Sequence, residues 1–394
     1  MKIAVVFAGP WIPGSVDMTE YVRVLQSLGH QATFICQDRS EGPADFPTQC
    51  VDLATLEDSS FYRRQQLDAA IAFTWINSPR IIMAMKNAGM RVLLRGDNDG
   101  MISIRRYPRH HIRARLAGVK GIRQRGGAIK HCLQRYFFDY RVEDRDRMSC
   151  IEHADATVLE TAEATRHLTR ILEWYGRGDL VPRVHVAPHF ISSRFLTGDV
   201  PRCRQESVAC IARWEDAQKN APLLAKAIAL HLSHRPGTIF NIVGTERGRS
   251  EFSGLTARFP QVRYLGPQTP HQVRRILESS QVLFSASRWE GAPLVANEAL
   301  SLGATIVGTP ICAFIEVCFR GAYGTVARNH SAKALAAALS AELDAWNSGQ
   351  RDPVAIAAYW RPHFSSAAVV SRLVDLLAPP PKTPGQPPLA SIAS

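Results

Sequence analysis

Two carboxylates, those of Glu290 and Glu298, lie around the beginning of a predicted helix. Residues 282–287 form a short apolar run with the length of a buried parallel strand, and a polar loop follows it. Pro293 suits the first turn of the helix, and Gly303 suits its end. In open α/β sheets, ligands bind at the carboxyl ends of the strands, and the N-terminus of a helix attracts anions such as phosphate. The two glutamates are therefore candidates for binding a polar ligand at this edge of a sheet.

Seven residues separate the two glutamates, and the string Ser-Arg-Trp-Glu-Gly-Ala-Pro-Leu-Val-Ala-Asn-Glu-Ala-Leu-Ser-Leu-Gly surrounds them at 287–303. It resembles the Glu-x7-Glu signature of retaining GT-B glycosyltransferases, specifically glycosyltransferase family 4, also called group 1. The resemblance implies an α/β chain with two doubly wound Rossmann-like domains facing a cleft and a C-terminal helix crossing back to the first domain. It also implies a retaining, metal-independent hexosyltransferase that uses a nucleotide sugar and no cofactor.

The resembled family assigns a diphosphate-binding role to two cations of the second half. Arg213 and Lys219 match those positions in the string Ala-Arg-Trp-Glu-Asp-Ala-Gln-Lys-Asn. A departing nucleotide diphosphate carries negative charge that must be stabilised as the glycosidic bond breaks. Arginine offers a planar fork and lysine a mobile point charge. The backbone amides at Leu294 and Val295, where the helix begins, would meet the same diphosphate.

The resemblance also implies which residues bind the rest of the donor. Glu298 would accept hydrogen bonds from the ribose hydroxyls, because one carboxylate can take two adjacent hydroxyls. Glu290 would face the hydroxyls of the transferred sugar or help to hold its ring. Gly266 and Gln268 would flank the base.

The first half departs from the family pattern in two places. The glycine pair that faces the cleft in many members is here Gly14 and Ser15. Many members also carry a histidine after the fourth strand of the first domain. The corresponding run, 93–99, has no histidine but contains Arg95 and Asp97, so these two residues are the catalytic candidates on that side.

Asp97 and Asp99 allow an alternative interpretation. An Asp-x-Asp pair holds a divalent metal in GT-A glycosyltransferases, and two spaced oxygen donors suit Mn²⁺ or Mg²⁺. That fold has a single nucleotide domain and no Glu-x7-Glu signature, and Asp-Asn-Asp-Gly is also an ordinary turn sequence. We therefore expect no metal site.

The chain alternates strand and helix patterns, which predicts parallel sheets with helices on both faces. The predicted strands of the first half are 3–8, 31–37, 69–74, 91–96, 156–160 and 184–188. Those of the second half are 208–213, 238–244, 262–266, 282–287, 304–309 and 323–327. The clearest helices are 17–28, 221–234 and 332–346, and 353–378 is predicted to form two short helices broken near Pro362.

The pattern divides the chain into two domains of similar size, predicted at 1–200 and 201–359. The resemblance implies that the first is the acceptor-side domain and the second the nucleotide-sugar-binding domain. It also implies that a crossing helix at about 360–378 returns to the first domain. Residues 379–394 include six prolines and are expected to be a disordered tail.

Composition restricts the class of protein. The 394 residues are 46% hydrophobic and 21% charged, as in a soluble globular protein, and no stretch approaches 18 uncharged apolar residues. The eight cysteines include no Cys-x-x-Cys pair, which favours reduced thiols in the cytoplasm over disulfides or zinc.

The segment from Arg105 to Arg145, which we call the basic segment, contains twelve Lys or Arg and three Asp or Glu, a net charge of +9 in a chain whose net charge is +12. Apolar and aromatic residues are interleaved with these charges, which suits an anionic membrane surface. In the resembled family this region lines the acceptor side. A solvated insertion is the alternative, and no RNA- or DNA-binding motif accompanies the charge.

The leading hypothesis is a cytoplasmic enzyme, peripheral to the inner face of the plasma membrane, that builds a polysaccharide or glycolipid. Its donor would be a UDP- or GDP-sugar, and its acceptor a saccharide or a lipid-linked saccharide. The alternative is a catalytically silent relative that binds nucleotide sugars or acts as a scaffold in a glycosylation complex. Nucleic acid is not an expected partner.

Overall fold

The computed structural model of the chain describes residues 1–10, 16–37, 46–73, 78–96, 98–117, 119 and 121–378. Three predictions lie outside the described residues: the Gly14 and Ser15 pair, the candidate Asp97 and the tail at 379–394.

A sheet of seven parallel strands forms in the first half of the chain. The strands are β1 (Lys2–Pro10), β2 (Gln31–Gln37), β3 (Thr48–Val51), β4 (Ala69–Ala72), β5 (Arg91–Arg95), β6 (Ala156–Leu159) and β7 (Val184–Val186). Their order across the sheet is β3-β2-β1-β4-β5-β6-β7. Six of them were predicted. The edge strand β3 was missed because it is short, partly exposed and half polar, so it lacks the apolar run of a buried strand.

A second sheet of six parallel strands forms in the second half. Its strands are β8 (Ser207–Ile211), β9 (Ile239–Val243), β10 (Val262–Gly266), β11 (Val282–Ser285), β12 (Thr305–Gly308) and β13 (Gly324–Val326), in the order β10-β9-β8-β11-β12-β13. All six predicted strands are confirmed, although most end earlier than predicted. Arg213 therefore lies in the loop after β8, not at its end. The chain leaves the sheet there because the Trp214 side chain is buried and donates Nε1–H to the Val243 carbonyl at 2.9 Å.

Both sheets reverse their strand order at one point, between β1 and β4 in the first and between β8 and β11 in the second. The loops that follow β8 and β11 run to opposite sides of the second sheet, which leaves a crevice at its carboxyl edge. In the second sheet, this crevice lies between the loop after β8 and the loop after β11. The topology thus brings two distant candidate stretches of the chain together.

Helices cover the sheets and are α1 (Val16–Ser27), α2 (Leu53–Leu56), α3 (Ser59–Gln65), α4 (Pro79–Asn87), α5 (Pro108–Ala117), α6 (Ile122–Gln134), α7 (Tyr140–His153), α8 (Ala162–Trp174), α9 (Ala221–His234), α10 (Ser253–Arg258), α11 (Pro270–Ser279), α12 (Leu294–Ser301), α13 (Cys312–Cys318), α14 (Ala332–Asn347), α15 (Pro353–His363) and α16 (Ser366–Leu377). Among the helices of the described residues, none is long and apolar enough to cross a membrane.

The last two helices connect the two halves. Ile356 of α15 is buried with Leu300 in the core of the second sheet. Val370 of α16 is buried with Ile3 in a core of the first sheet. The predicted helix that crosses back to the first domain is therefore confirmed, with the break at 364–365, just after Pro362.

The basic segment forms α5, α6, a π-helical turn at Arg135–Asp139 and the beginning of α7. Part of its charge is structural, since Arg135 binds the Glu143 carboxylate through Nε at 2.8 Å. Several large apolar side chains of this segment are nevertheless exposed, and we call them the apolar stripe: Ile122, Ile129, Leu133, Phe137, Phe138 and Val142.

Gly303, two residues after the end of α12, has a left-handed backbone conformation with φ of 83°. A Cβ at this position would lie 2.3 Å from the carbonyl oxygen of Pro353, the first residue of α15. A glycine is required there for two reasons, the positive φ and the close approach of another backbone.

We expect Gly303→Ala to destabilise the protein more than Gly349→Ala. Gly349 has a similar φ, 73°, but a Cβ there would meet nothing within 4 Å. The left-handed strain of roughly 1–2 kcal/mol is therefore common to both substitutions, whereas only Gly303→Ala adds a backbone clash. The free energy of unfolding in urea should fall by about 1 kcal/mol for Gly349→Ala and by about 2–4 kcal/mol for Gly303→Ala. Equal losses would contradict the close approach of α12 and α15.

Candidate active site

A buried ion pair joins the two loops of the second crevice. Nζ of Lys219 lies 2.6 Å from Oε1 of Glu290, and the Glu290 side chain is 8% exposed. The other carboxylate oxygen, Oε2, accepts a hydrogen bond from Nε2 of Gln218 at 2.9 Å. The same Gln218 amide also donates to the Trp289 carbonyl at 2.7 Å. Both oxygens of this carboxylate are thus satisfied, as a buried charge requires.

Arg288 strengthens the connection between the loops. Its guanidinium donates to the Ala217 carbonyl at 3.0 Å and to Oδ1 of Asn220 at 2.7 Å. Its backbone N–H donates to the Gln218 carbonyl at 2.8 Å. Residues 217–220 and 288–290 therefore form a single hydrogen-bonded unit.

A cavity of about 700 Å³ opens beside this unit, and we call it the switch-point cavity. It is lined by Glu160, His189, Ile211, Ala212, Arg213, Gln218, Lys219, Val243, Gly244, Thr245, Pro267, Gln268, Val273, Glu290, Gly291, Ala292, Pro293, Leu294 and Val295. Six of the predicted site residues are brought together here: Arg213, Lys219, Gln268, Glu290, Leu294 and Val295. Its volume is in the range of sites that hold a small molecule.

Two other predicted residues lie just outside the lining. Gly266 is buried at the end of β10, directly before Pro267, which does line the cavity. Glu298 is partly buried in α12, one helical turn after Leu294 and on the same side of the helix. Arg213 lies at the solvent-facing part of the cavity, with its side chain 72% exposed and Nε 3.0 Å from Oδ2 of Asp216.

Arg95 does not face the cavity, contrary to its prediction as a catalytic residue. It is 1% exposed, and its terminal nitrogens donate to the carbonyls of Ala187 at 2.6 Å and Pro188 at 2.8 Å. Burial of a guanidinium is tolerated only when such partners satisfy it. The two terminal nitrogens of Arg95 are satisfied in this way, whereas Nε has no hydrogen-bond partner among the described residues, and the two carbonyls directly precede His189.

His189 and Glu160 form a site that the sequence analysis missed. Nε2 of His189 lies 2.7 Å from Oε1 of Glu160, and both side chains are almost fully buried where the first domain lines the switch-point cavity. Nδ1 of His189 has no hydrogen-bond partner among the described residues. The pair could have been predicted from the sequence, because the two residues follow the neighbouring strands β6 and β7. The carboxyl ends of adjacent parallel strands meet at one edge of a sheet.

A second cavity of about 840 Å³ lies beside the first, between the two domains, and we call it the interdomain cavity. Its lining residues are Asp99, Met101, His110, Arg113, Leu116, Ala117, Val119, Arg125, Arg288, Trp289, Glu290, Pro310, Ile311, Cys312 and His330. Glu290 lines both cavities and so stands at their boundary.

His110 is a further residue that the sequence analysis missed. We expected Arg95 or Asp97 in place of the family's histidine, but the structure brings a histidine from α5 into the cleft. Its Nε2 lies 3.2 Å from Oδ2 of Asp99, and its ring is 6.3 Å from a Trp289 ring of the other domain, measured between centroids. The placement of His110 in the cleft could not be predicted from the sequence, because His110 lies well beyond the end of β5 and inside the basic segment.

Glu316 of α13 connects the second domain to the first. Its carboxylate accepts hydrogen bonds from the backbone amides of Ala162 at 3.1 Å and Glu163 at 3.3 Å. These amides begin α8, so the carboxylate also interacts favourably with the helix dipole.

One group of side chains in the described part of the chain has the composition of a metal site. Glu163, His167 and Cys312 place their ligand atoms within 4.8 Å of one another. Asp99, part of the alternative Asp-x-Asp interpretation, is paired with His110 and accepts from the amide of Met101 through Oδ1 at 3.1 Å. We expected no metal site, and the Asp-x-Asp pair itself is not described because Asp97 lies outside.

Two Rossmann-like parallel sheets with a helix crossing between them, and a cleft at their carboxyl edges, define the GT-B fold of glycosyltransferases. Residues 205–344 match the family model of glycosyl transferases group 1. This stretch contains Arg213, Lys219, Glu290 and Glu298.

The whole chain is similar in structure to solved glycosyltransferases. A sucrose-phosphate synthase from Thermosynechococcus elongatus has a TM-score of 0.66 and 13% identity, over 95% of this chain and 98% of that chain. HepE of Anabaena, in complex with UDP, has a TM-score of 0.67 and 12% identity, over 96% and 99%. The lipopolysaccharide outer core galactosyltransferase WaaB, in its apo form, has a TM-score of 0.65 and 14% identity, over 96% and 99%. No curated protein matches the chain in sequence. At sequence identities of 12–14%, these structural similarities establish the GT-B fold.

We expect Glu316→Ala to loosen the contact between the two domains. The substitution removes the acceptor for two amides at the beginning of α8, and loss of such a cap costs about 0.5–2 kcal/mol. Small-angle X-ray scattering should show a larger radius of gyration than for the wild type. Glu278→Ala is the matched control, because Glu278 pairs with Arg274 of its own helix at 2.7 Å. A radius of gyration unchanged in Glu316→Ala would mean that this carboxylate does not hold the domains together.

Proposed function

We propose that the protein is a retaining glycosyltransferase that moves a sugar from a nucleotide-sugar donor to a saccharide or lipid-linked acceptor, in polysaccharide or glycolipid biosynthesis. The observation that carries the proposal is the pair of Lys219 and Glu290, 2.6 Å apart at the topological switch point. It combines a cation suited to a diphosphate with a carboxylate suited to sugar hydroxyls. The match of residues 205–344 to group 1 glycosyltransferases supports the same function.

The donor would bind in the switch-point cavity with its diphosphate toward Lys219 and the N-terminus of α12. Backbone amides at Leu294 and Val295 point along the helix axis toward that place. Arg213 would exchange Asp216 for the diphosphate, which its 72% exposure permits. Glu298 would bind the ribose, one helical turn deeper, and Gln268 would flank the base. The complex of HepE with UDP supports a uridine donor, and a GDP-sugar is the other candidate.

In the proposed step, the bond between the anomeric carbon and the diphosphate oxygen breaks, and a bond from that carbon to the acceptor oxygen forms on the same face. The proton of the acceptor hydroxyl passes to the leaving diphosphate oxygen, so that no protein base is required. The work of the protein is then to orient both substrates and to stabilise the developing charge. Glu290 is suited to orienting the transferred sugar, because it stands between the two cavities.

The proposed reaction needs no metal ion or cofactor. Lys219 and Arg213 would supply the positive charge that a divalent cation supplies elsewhere, together with the helix N-terminus of α12.

Transfer from radiolabelled UDP- and GDP-sugars tests the proposal. We expect a product with at least one donor, formed equally in excess EDTA. Glu298→Gln should weaken nucleotide binding by about 1–3 kcal/mol, because a charged acceptor of ribose hydrogen bonds is lost. Titration calorimetry with UDP and GDP measures that change.

The control for this substitution is Glu278→Gln, which lies outside both cavities and should bind nucleotide as the wild type does. Equal nucleotide affinity of Glu298→Gln and wild type would remove Glu298 from the site. Nucleotide binding without transfer to any acceptor would favour the catalytically silent alternative, and loss of transfer in EDTA with rescue by Mn²⁺ would favour a metal.

We also propose that the basic segment binds an anionic membrane surface, where a lipid-linked acceptor would be found. The apolar stripe supports this, because it exposes 91% of Ile122 and 74% of Phe138 to solvent. Ile122, Ile129, Leu133 and Phe137 recur at helical spacing, so they share one side of α6 and the turn after it. Large exposed apolar side chains beside Lys and Arg are typical of helices that lie in the membrane interface.

We expect the protein to sediment with phosphatidylglycerol vesicles at low salt and to leave them at high salt, since the attraction is screened. Phe137→Ser/Phe138→Ser should lower this binding about tenfold or more, because two apolar side chains can no longer enter the interface. The control is Leu53→Ser/Met83→Ser, which alters two exposed apolar residues of the same domain outside the segment. If the wild-type protein does not sediment with these vesicles at any salt concentration, the membrane proposal is overturned.

A further inference from the structure

Positive charges from both domains converge on the interdomain cavity. Arg113 of α5 and Arg125 of α6 line it from the first domain, and Arg288 lines it from the second. Within the residues that the structure describes, neither Arg113 nor Arg125 is paired with a carboxylate. Arg288 is held by two neutral oxygens, those of Ala217 and Asn220, so its charge is also uncompensated.

The two carboxylates of the same cavity do not neutralise these guanidinium groups. Oδ2 of Asp99 lies 3.2 Å from Nε2 of His110, and Oε1 of Glu290 lies 2.6 Å from Nζ of Lys219. Each therefore already has a cationic or polar partner outside the group of three arginines.

His330 of the second domain lines the same cavity, and its pKa is affected by these charges. Burial lowers the pKa of His330, and the nearby charges of Arg113 and Arg288 lower it further. The two guanidinium groups from different domains are thus close enough to act on one imidazole. Cations from two domains that repel one another are favourable for an anion that enters between them.

The rest of the lining suits a sugar ring. Trp289 offers a partly exposed indole beside Glu290, and Leu116 and Ile311 add apolar surface. Sugar rings present C–H groups on their faces, which pack against aromatic and aliphatic side chains, while their edges carry the hydroxyls. At about 840 Å³, the cavity has room for more than one ring.

We propose that the interdomain cavity binds the acceptor, and that this acceptor is an anionic saccharide, with a phosphate or carboxylate held by Arg113, Arg125 and Arg288. The inference rests on the proposed function in that Glu290, at the boundary of the two cavities, would place the acceptor hydroxyl beside the donor sugar. The inference specifies the charge of the acceptor, whereas the proposed glycosyltransferase function does not. Three guanidinium groups from two domains also mean that the anion would favour the closed cleft.

The test uses the full-length chain and two charge-matched variants. Arg113→Gln/Arg125→Gln removes two charges from the cavity. Arg115→Gln/Arg123→Gln removes two charges from the same helices, α5 and α6, at exposed positions that do not line it. Circular dichroism and thermal unfolding establish that both variants fold as the wild type does.

Calorimetric titrations with glucose 1-phosphate, glucuronate and glucose are made with UDP at saturation, so that the switch-point cavity is filled. We expect wild type and the Arg115/Arg123 variant to bind the two anionic sugars about tenfold or more tightly than glucose, and the Arg113/Arg125 variant to lose that preference. Equal binding of the anionic sugars by both variants, or equal binding of glucose and the anionic sugars by wild type, would overturn the inference.

The titrations are repeated without UDP, which separates this inference from the proposed function. Failure of UDP and GDP to bind contradicts the proposed donor site, whereas the comparison of the two arginine variants decides the anion site in either case. Sedimentation with phosphatidylcholine vesicles that contain a polyprenyl phosphate, in which that phosphate is the only net charge, identifies the source of the anion. Binding lost only in the Arg113/Arg125 variant indicates a lipid-linked acceptor, and soluble sugar binding without vesicle binding indicates a soluble one.

Discussion

The structure of the cleft depends on a carboxylate that is almost fully removed from water. Burying an ionised glutamate costs several kcal/mol unless other groups satisfy it. For Glu290, the satisfying groups are the ammonium of Lys219 and the amide of Gln218, and both belong to the loop after β8. The two loops of the crevice must therefore keep one relative position, because separating them would leave a buried charge without a partner. The arrangement of both cavities follows from this constraint.

The hydrogen-bonded unit of residues 217–220 and 288–290 lies between the switch-point cavity and the interdomain cavity, which have different linings. On one side, the switch-point cavity combines Lys219 with the N-terminus of α12. On the other side, the interdomain cavity combines Trp289 with guanidinium groups from both domains. A donor and an acceptor held on the two sides would meet at Glu290. The first domain contributes to both sides, through the His189 and Glu160 pair and through His110, so that its position relative to the second domain also matters.

Much of the second domain could be predicted from the sequence because one part of its site is local, whereas Arg213 and Lys219 lie about 70 residues earlier and were expected from the family resemblance alone. The strand, loop and helix around Glu290 follow one another directly, and the positions of Leu294, Val295 and Glu298 then follow from helical geometry. The site residues of the first domain could be predicted much less well. His110 reaches the cleft from a helix of the basic segment, and for Glu160 and His189 nothing was predicted beyond the strands at 156–160 and 184–188, near whose ends they lie. The rule that adjacent parallel strands end at one edge would have identified this last pair.

The sequence by itself determined the alternation of strands and helices and the two sheets, because apolar periodicity and turn residues act over short distances. The crossing helix and the Glu-x7-Glu residues were expected from the resemblance to a family, which the motif at 287–303 carries. Only the tertiary structure decided which charges are buried and which are exposed to solvent. Arg95 and Arg213 look equivalent in the chain, since each stands at or just beyond the end of a central strand. In the fold, the carbonyls of Ala187 and Pro188 enclose Arg95, whereas Arg213 remains in solvent. The reason is physical: the environment of a charged side chain is set by residues that are distant in sequence, and folding alone brings them into contact.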